Sequence, residues 1–154
     1  MINVLLIEDS AVFVMGLKLA LGADPAIGRI ESVTSPGAAV AYLNAHPDTD
    51  IAVVDITLQA ESDGLTLLGI LRDAFPGVKA MVLSHYKIPS YILRAITSGA
   101  SAYLAKDSSP SPSSRRSATW LRGNAFSSER PSMRKRSSGF SAARRTFKGG
   151  NRRA

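Results

Sequence analysis

The amino-acid sequence predicts an α/β domain built around a parallel sheet, and three observations carry the prediction. Over residues 1–107, short β-branched or leucine-rich runs alternate with longer helical patterns, the rhythm of repeated βαβ units. The runs IAVVD and KAMVLS are continuously apolar, as strands covered on both faces have to be. Gly22, Pro76-Gly77 and Gly99 punctuate the helical segments.

Five strands are expected: Asn3 to Ile7, Arg29 to Val33, Ile51 to Asp55, Lys79 to Leu83 and Ala102 to Ala105. Between them lie four helices. The first, Ala11 to Leu21, sets Phe13, Leu17 and Leu21 on one face, with Gly22 as its stop. The second, Pro36 to Ala45, has Ser35 as N-cap and Pro36 at its first position. A third runs from about Leu65 to Phe75, and a fourth from Pro89 to Ser98 with Gly99 as a left-handed cap. Right-handed crossovers and a sheet covered on both sides leave few topologies for this string. The flavodoxin-like, doubly wound five-stranded order 2-1-3-4-5 fits it, and puts the functional crevice beyond the carboxyl ends of strands one and three.

Composition narrows the function. The 154 residues include no cysteine, which leaves out a disulfide framework and a cysteine metal site and fits a cytoplasmic protein of one ordinary domain. No segment approaches the ~20 apolar residues of a membrane span, and the N-terminus shows no basic leader. The net charge of +7 averages two unlike pieces. Residues 1–107 hold 7 Lys/Arg against 11 Asp/Glu, and residues 108–154 hold 12 Lys/Arg against Glu129 alone. An acidic domain is followed by a basic tail. The phosphate loop GxxxxGK[ST] and the dinucleotide fingerprint GxGxxG are both absent.

The chemistry gathers at strand ends. VLLIEDS runs an apolar strand into Glu8 and Asp9, and the third strand ends in Asp55. Three carboxylates at one rim repel one another, a cost that a hard divalent cation with oxygen ligands relieves. Mg2+ suits, since it takes few carboxylates and keeps positions for water and phosphate oxygens. Strand four is followed by the Ser84 hydroxyl, and strand five by Lys106, whose ammonium meets a phosphoryl oxygen as a point charge. Ser84-His85 invites a nucleophile-base reading, but neighbours in sequence point apart from a strand end and no nucleophile elbow surrounds them. His85 reads as a loop residue and His46 as a helix-end residue.

With LLIEDS, VVDITL, VLSHY and GASAYLAKD in this order, residues 1–107 resemble the CheY-like receiver domain of two-component response regulators. GASAYLAKD and the preceding YILRAITSGA look most like receivers of the LuxR/NarL type, which usually precede a helix-turn-helix DNA-binding domain. The resemblance implies a phosphoacceptor switch rather than a turnover enzyme. Asp55 would take a phosphoryl group from the phosphohistidine of a sensor histidine kinase, with Lys106 neutralising charge. Asp9, Asp55 and the backbone carbonyl of Thr57 would hold Mg2+, with Glu8 acting mainly through water. Ser84 would then reach the new phosphoryl group, and the Tyr103 ring would turn inward, reshaping the face of helix four and strand five, where a homodimer would form. The sequence departs from the family in two places: Gln59 stands where Pro is usual, and the spacing from Asp55 to Gly64 is one residue longer.

The tail, residues 108–154, holds 12 Ser and 10 Arg but one Leu and no Val or Ile. It offers too little apolar surface to offset its ordering entropy, so it is expected to be largely irregular and disordered. A short, atypical fifth helix over 114–122, with Trp120 and Leu121 docked, would extend the domain to about residue 122. Three readings stay open for the rest: a non-specific nucleic-acid-binding arm weakened by salt, a solvated linker, or an out-of-frame extension of a GC-rich gene that has lost its helix-turn-helix domain. Contact with DNA would need the tail or such a missing domain. A Mg2+-dependent phosphatase on the same fold is the competing enzyme reading.

Overall fold

The computed structural model describes residues 1–58 and 61–106, with side chains for all of these but 61–63. Expectations for Gln59 and for residues 107–154, the fifth helix among them, lie outside the described residues. The chain runs β1 (Ile2–Ile7), α1 (Ala11–Gly22), β2 (Ile27–Val33), α2 (Pro36–Ala45), β3 (Ile51–Asp55), α3 (Glu61–Ala74), β4 (Lys79–Ser84), α4 (Pro89–Thr97) and β5 (Ala102–Ala105). The five strands form one parallel sheet in the order β2-β1-β3-β4-β5, the flavodoxin-like order expected.

Strand period two divides the core between the two faces of the sheet. Leu5, Ile7, Ala52, Val54 and Val82 pack with Ala39 and Leu43 of α2, Leu67, Leu68 and Leu71 of α3, and Ala95 of α4. Val4, Leu6, Val53, Met81 and Leu83 form the other cluster with Leu17 and Leu21 of α1. Each fully buried Val, Leu, Ile or Met side chain among these contributes about 1.5–3 kcal/mol relative to leaving it exposed. All five residues of β3 are buried, which accounts for its unbroken apolar run and fixes Asp55 at the strand's carboxyl end.

The helix ends follow local chemistry. Ser10 caps α1 by accepting the Phe13 amide at 3.4 Å, and Ser35 caps α2 by accepting the Ala38 amide at 3.3 Å. Gly99 takes φ +115° after α4 and closes it through the Ala100 amide to the Ala95 carbonyl at 3.0 Å. Gly22 differs from expectation: it is the last helical residue, and the right-handed Ala23 caps the helix.

The start of α3 also differs, at Glu61 rather than Leu65. Its first turn, ESDG, is polar and carries a glycine, so it reads as loop. Gly64 is there for space rather than for a turn, since a Cβ on it would lie 2.7 Å from Ile56 Cα and 2.9 Å from the Asp55 carbonyl oxygen. Both partners are backbone and cannot swing away. Gly64→Ala is therefore expected to cost about 1–3 kcal/mol, read as a lower urea midpoint. An unchanged midpoint would show that α3 rides freely over the end of β3.

Candidate functional site

The carboxyl ends of β1, β3, β4 and β5 carry the residues singled out in the sequence. Glu8 follows β1, and its amide continues the strand pairing to the Val33 carbonyl at 3.0 Å. Asp55 ends β3, Ser84 ends β4, and Lys106 follows β5, its amide bonded to the Ser84 carbonyl at 2.6 Å. Glu8 and Asp55 are each 4% exposed, Lys106 6% and Ser84 0%, while Asp9 faces solvent.

The structure brings Glu8, Asp9, Asp55 and Lys106 together. Carboxylate oxygens of the three acids lie within 4.8 Å of one another. Lys106 Nζ donates to Asp55 Oδ2 at 2.8 Å and also to Glu8 Oε2. The other Asp55 oxygen, Oδ1, accepts from the Thr57 amide at 2.9 Å and the Thr57 hydroxyl at 2.7 Å. Thr57 thus binds Asp55 through its amide and hydroxyl, a role separate from the cation contact expected of its carbonyl. Glu8 Oε1 accepts the Ser10 amide at 3.1 Å.

Three acids against one lysine leave the rim with an excess of negative charge. Its donors fit Mg2+: hard oxygens, two fixed by hydrogen bonds and one, on Asp9, at the open side. Oxygen ligands of one Mg2+ lie at most about 4.2 Å apart, twice the metal–oxygen bond, so the acids have little distance to close.

Burial pushes the Glu8 carboxyl above its ordinary value, against the opposite pull of Lys106 and the Ser10 amide. A carboxyl raised on folding favours the folded state below its unfolded pKa, and that benefit is lost as pH rises through the folded value. Without a cation, Glu8 therefore makes the protein more stable in mild acid than at neutral pH. Mg2+ is expected to raise the melting temperature more at neutral pH than in mild acid, because only the ionised carboxyl attracts it. Melts with and without Mg2+ at two pH values check this, and an equal shift at both would contradict it.

The backbone of Tyr86 joins Ser84 to Tyr103. Ser84 Oγ accepts the Tyr86 amide at 3.1 Å, and the Tyr103 hydroxyl donates to the Tyr86 carbonyl at 2.6 Å. Tyr86 in turn stacks on Tyr91 of α4 with ring centroids 4.9 Å apart. His85 is exposed, and His46 stacks on Tyr42 at the C-terminal end of α2, the opposite end from its Ser35 cap. Two contributors went unread in the sequence: the Thr57 side chain and Phe13, whose ring lies against Lys106. The stripe Phe13, Leu17, Leu21 runs toward the acidic rim, which was the available signal.

Comparison with known proteins agrees with this geometry. The family model of the response regulator receiver domain matches residues 4–112. The chain belongs to the response regulator receiver family. It is 34% identical over 107 residues to the DNA-binding transcriptional activator DevR/DosR of Mycobacterium tuberculosis, covering 70% of this chain and 48% of that protein. It is 36% identical over 109 residues to a protein-glutamate methylesterase/protein-glutamine glutaminase of Rhodospirillum centenum, covering 70% of this chain and 27% of that one. The receiver thus spans about half the length of the first relative and about a quarter of the second. Among solved structures, a CheY-like receiver domain protein from Methanospirillum hungatei superposes with a TM-score of 0.69 at 20% identity, covering 82% of this chain and 94% of that one. A LuxR-family two-component response regulator from Aurantimonas gives 0.68 at 21% identity, covering 79% and 85%. Receiver domains of this family are phosphoacceptor switches, and homologues of this one regulate transcription. No helix among the described residues is long and apolar enough to cross a membrane.

Proposed function

We propose that this receiver accepts a phosphoryl group on Asp55 from the phosphohistidine of a sensor kinase, in a Mg2+-dependent reaction. The observation that carries the reading is the Asp55 carboxylate itself, held on one oxygen by Thr57 and faced on the other by Lys106, inside a ring of acids suited to a cation. An Asp55 oxygen attacks phosphorus in line, an acyl phosphate forms, the phosphorus–nitrogen bond breaks, and the imidazole leaves to take up a proton from solvent. Bound Mg2+, held by Asp9, Asp55 and the Thr57 backbone with Glu8 behind, would neutralise phosphoryl oxygens. Lys106 supplies the second positive charge at the same rim. Such a transfer asks little covalent work of the protein beyond positioning and electrostatics.

Met15 and Leu19, exposed apolar residues of α1, line a cleft together with Asp9 and support docking of the kinase at that side. Ser84 would turn to the new phosphoryl group and carry the change through the Tyr86 peptide to Tyr103. The face it would alter bears exposed Ile88, Leu93 and Ile96, which supports self-association there. Similarity to a DNA-binding transcriptional activator favours control of transcription as the output.

Incubation of the full chain with a small acyl phosphate and Mg2+, followed by intact-mass measurement, tests the reading. One added phosphoryl group is expected, stable in acid, lost in alkali and absent when Mg2+ is chelated. Sustained multiple turnover of a phosphoester instead would make the protein a phosphatase and overturn it.

A further inference from the structure

Lys106 Nζ has more around it than its two carboxylates. The centroid of the Phe13 ring is 4.2 Å away, inside the ~6 Å at which a ring face attracts a cation. An ammonium has three donors. Glu8 and Asp55 accept from it, and the face of the Phe13 ring also lies against it. Phe13 comes from the first turn of α1, tied to the same short segment as Glu8. The Ser10 amide donates to Glu8, and the Ser10 hydroxyl oxygen accepts the Phe13 amide. One internally bonded loop therefore sets both a carboxylate and an aromatic face against the lysine.

We propose that Phe13 is a positioning residue for Lys106: its ring face keeps the ammonium dry and aimed at the Asp55 carboxylate. The cation then meets incoming phosphoryl oxygens without first being reoriented. The inference rests on the phosphoacceptor role proposed for Asp55. Packing alone does not ask for an aromatic, since Leu17 and Leu21, one and two turns further along the same stripe, fill the space under α1 with aliphatic side chains.

The test uses the full chain with Phe13→Leu and Phe13→Tyr, reading the phosphorylation rate from a small acyl phosphate in Mg2+, the melting temperature, and the NMR shift of the Lys106 ε-methylene protons. Phe13→Leu is expected to slow phosphorylation roughly 3- to 30-fold, with the melting temperature close to the parent's. Phe13→Tyr, which keeps the ring face, is expected to restore the parent rate. The ring moves the ε-methylene protons upfield in the parent, and Phe13→Leu returns them to the ordinary position. If Phe13→Leu does not fold, pentafluorophenylalanine at position 13 removes the attraction at nearly constant shape, and the same slowing is expected. A parent rate in Phe13→Leu, a rate in Phe13→Tyr as slow as in Phe13→Leu, or an unshifted Lys106 methylene in the parent each overturns the positioning role alone. A parent that takes no phosphoryl group under any condition defeats the Asp55 reading instead, whatever the NMR shows.

Discussion

Lys106→Met is expected to destabilise the folded protein by about 3–5 kcal/mol, the usual consequence of removing one partner from a buried ion pair. Methionine keeps most of the length and the contact with Phe13, so the change removes charge rather than volume. What remains is the Glu8 and Asp55 side chains, both buried and facing one another with no cation between them. One carboxyl can escape by taking a proton. Glu8 is the candidate, because burial has already raised it and the variant loses the opposing pull of Lys106. The deficit should therefore be largest above neutral pH and shrink in acid, with the sign set by the raised Glu8 carboxyl. Mg2+ should return part of the loss, since binding to the native state alone adds stability by mass action. Against a typical total of about 5–15 kcal/mol, the effect is large enough to read directly from urea unfolding with and without Mg2+. A midpoint equal to the parent's would mean that the rim carries no uncompensated charge.

Asp55→Ala is expected to abolish phosphorylation while leaving the fold intact. Lys106 keeps Glu8 as a partner in this variant, so no buried cation is stranded. The Thr57 amide and hydroxyl lose their acceptor, a cost of about 1–3 kcal/mol if water does not reach them. Removing one of three acids also lessens the repulsion at the rim and weakens its hold on Mg2+. Neither remaining carboxylate can substitute: Glu8 is held by Lys106 and Ser10, and Asp9 lies outside the bonded cluster. Intact mass after treatment with the phosphodonor should show no added phosphoryl group in the variant against one in the parent. A variant modified as readily as the parent would move the acceptor elsewhere.

How far the sequence alone could be read depends on what each feature needs. IAVVD declares a doubly covered strand because burial on both faces leaves no polar position, and that run fixes Asp55 at its end. Glu8, Asp9, Ser84 and Lys106 are legible for the same reason, since each lies at or just past the carboxyl end of a strand whose direction the βαβ rhythm dictates. The role of Gly64 is not legible, because a glycine in a polar stretch looks the same whether it serves a bend or a close approach. Only the distance to Ile56 tells them apart. The hold of Thr57 on Asp55, the Tyr86 bridge and the Phe13 ring depend on side-chain rotamers and on the angle between helix and sheet, neither of which has a period in the sequence.

The bonds from Lys106 to Glu8 and Asp55 span 98 and 51 residues of chain. During synthesis the acids therefore leave the ribosome long before the one amine that reconciles them, and the nascent sheet carries an open electrostatic debt until β5 arrives. Contacts so distant along the polymer close late, so the last strand both completes the sheet and arms the rim.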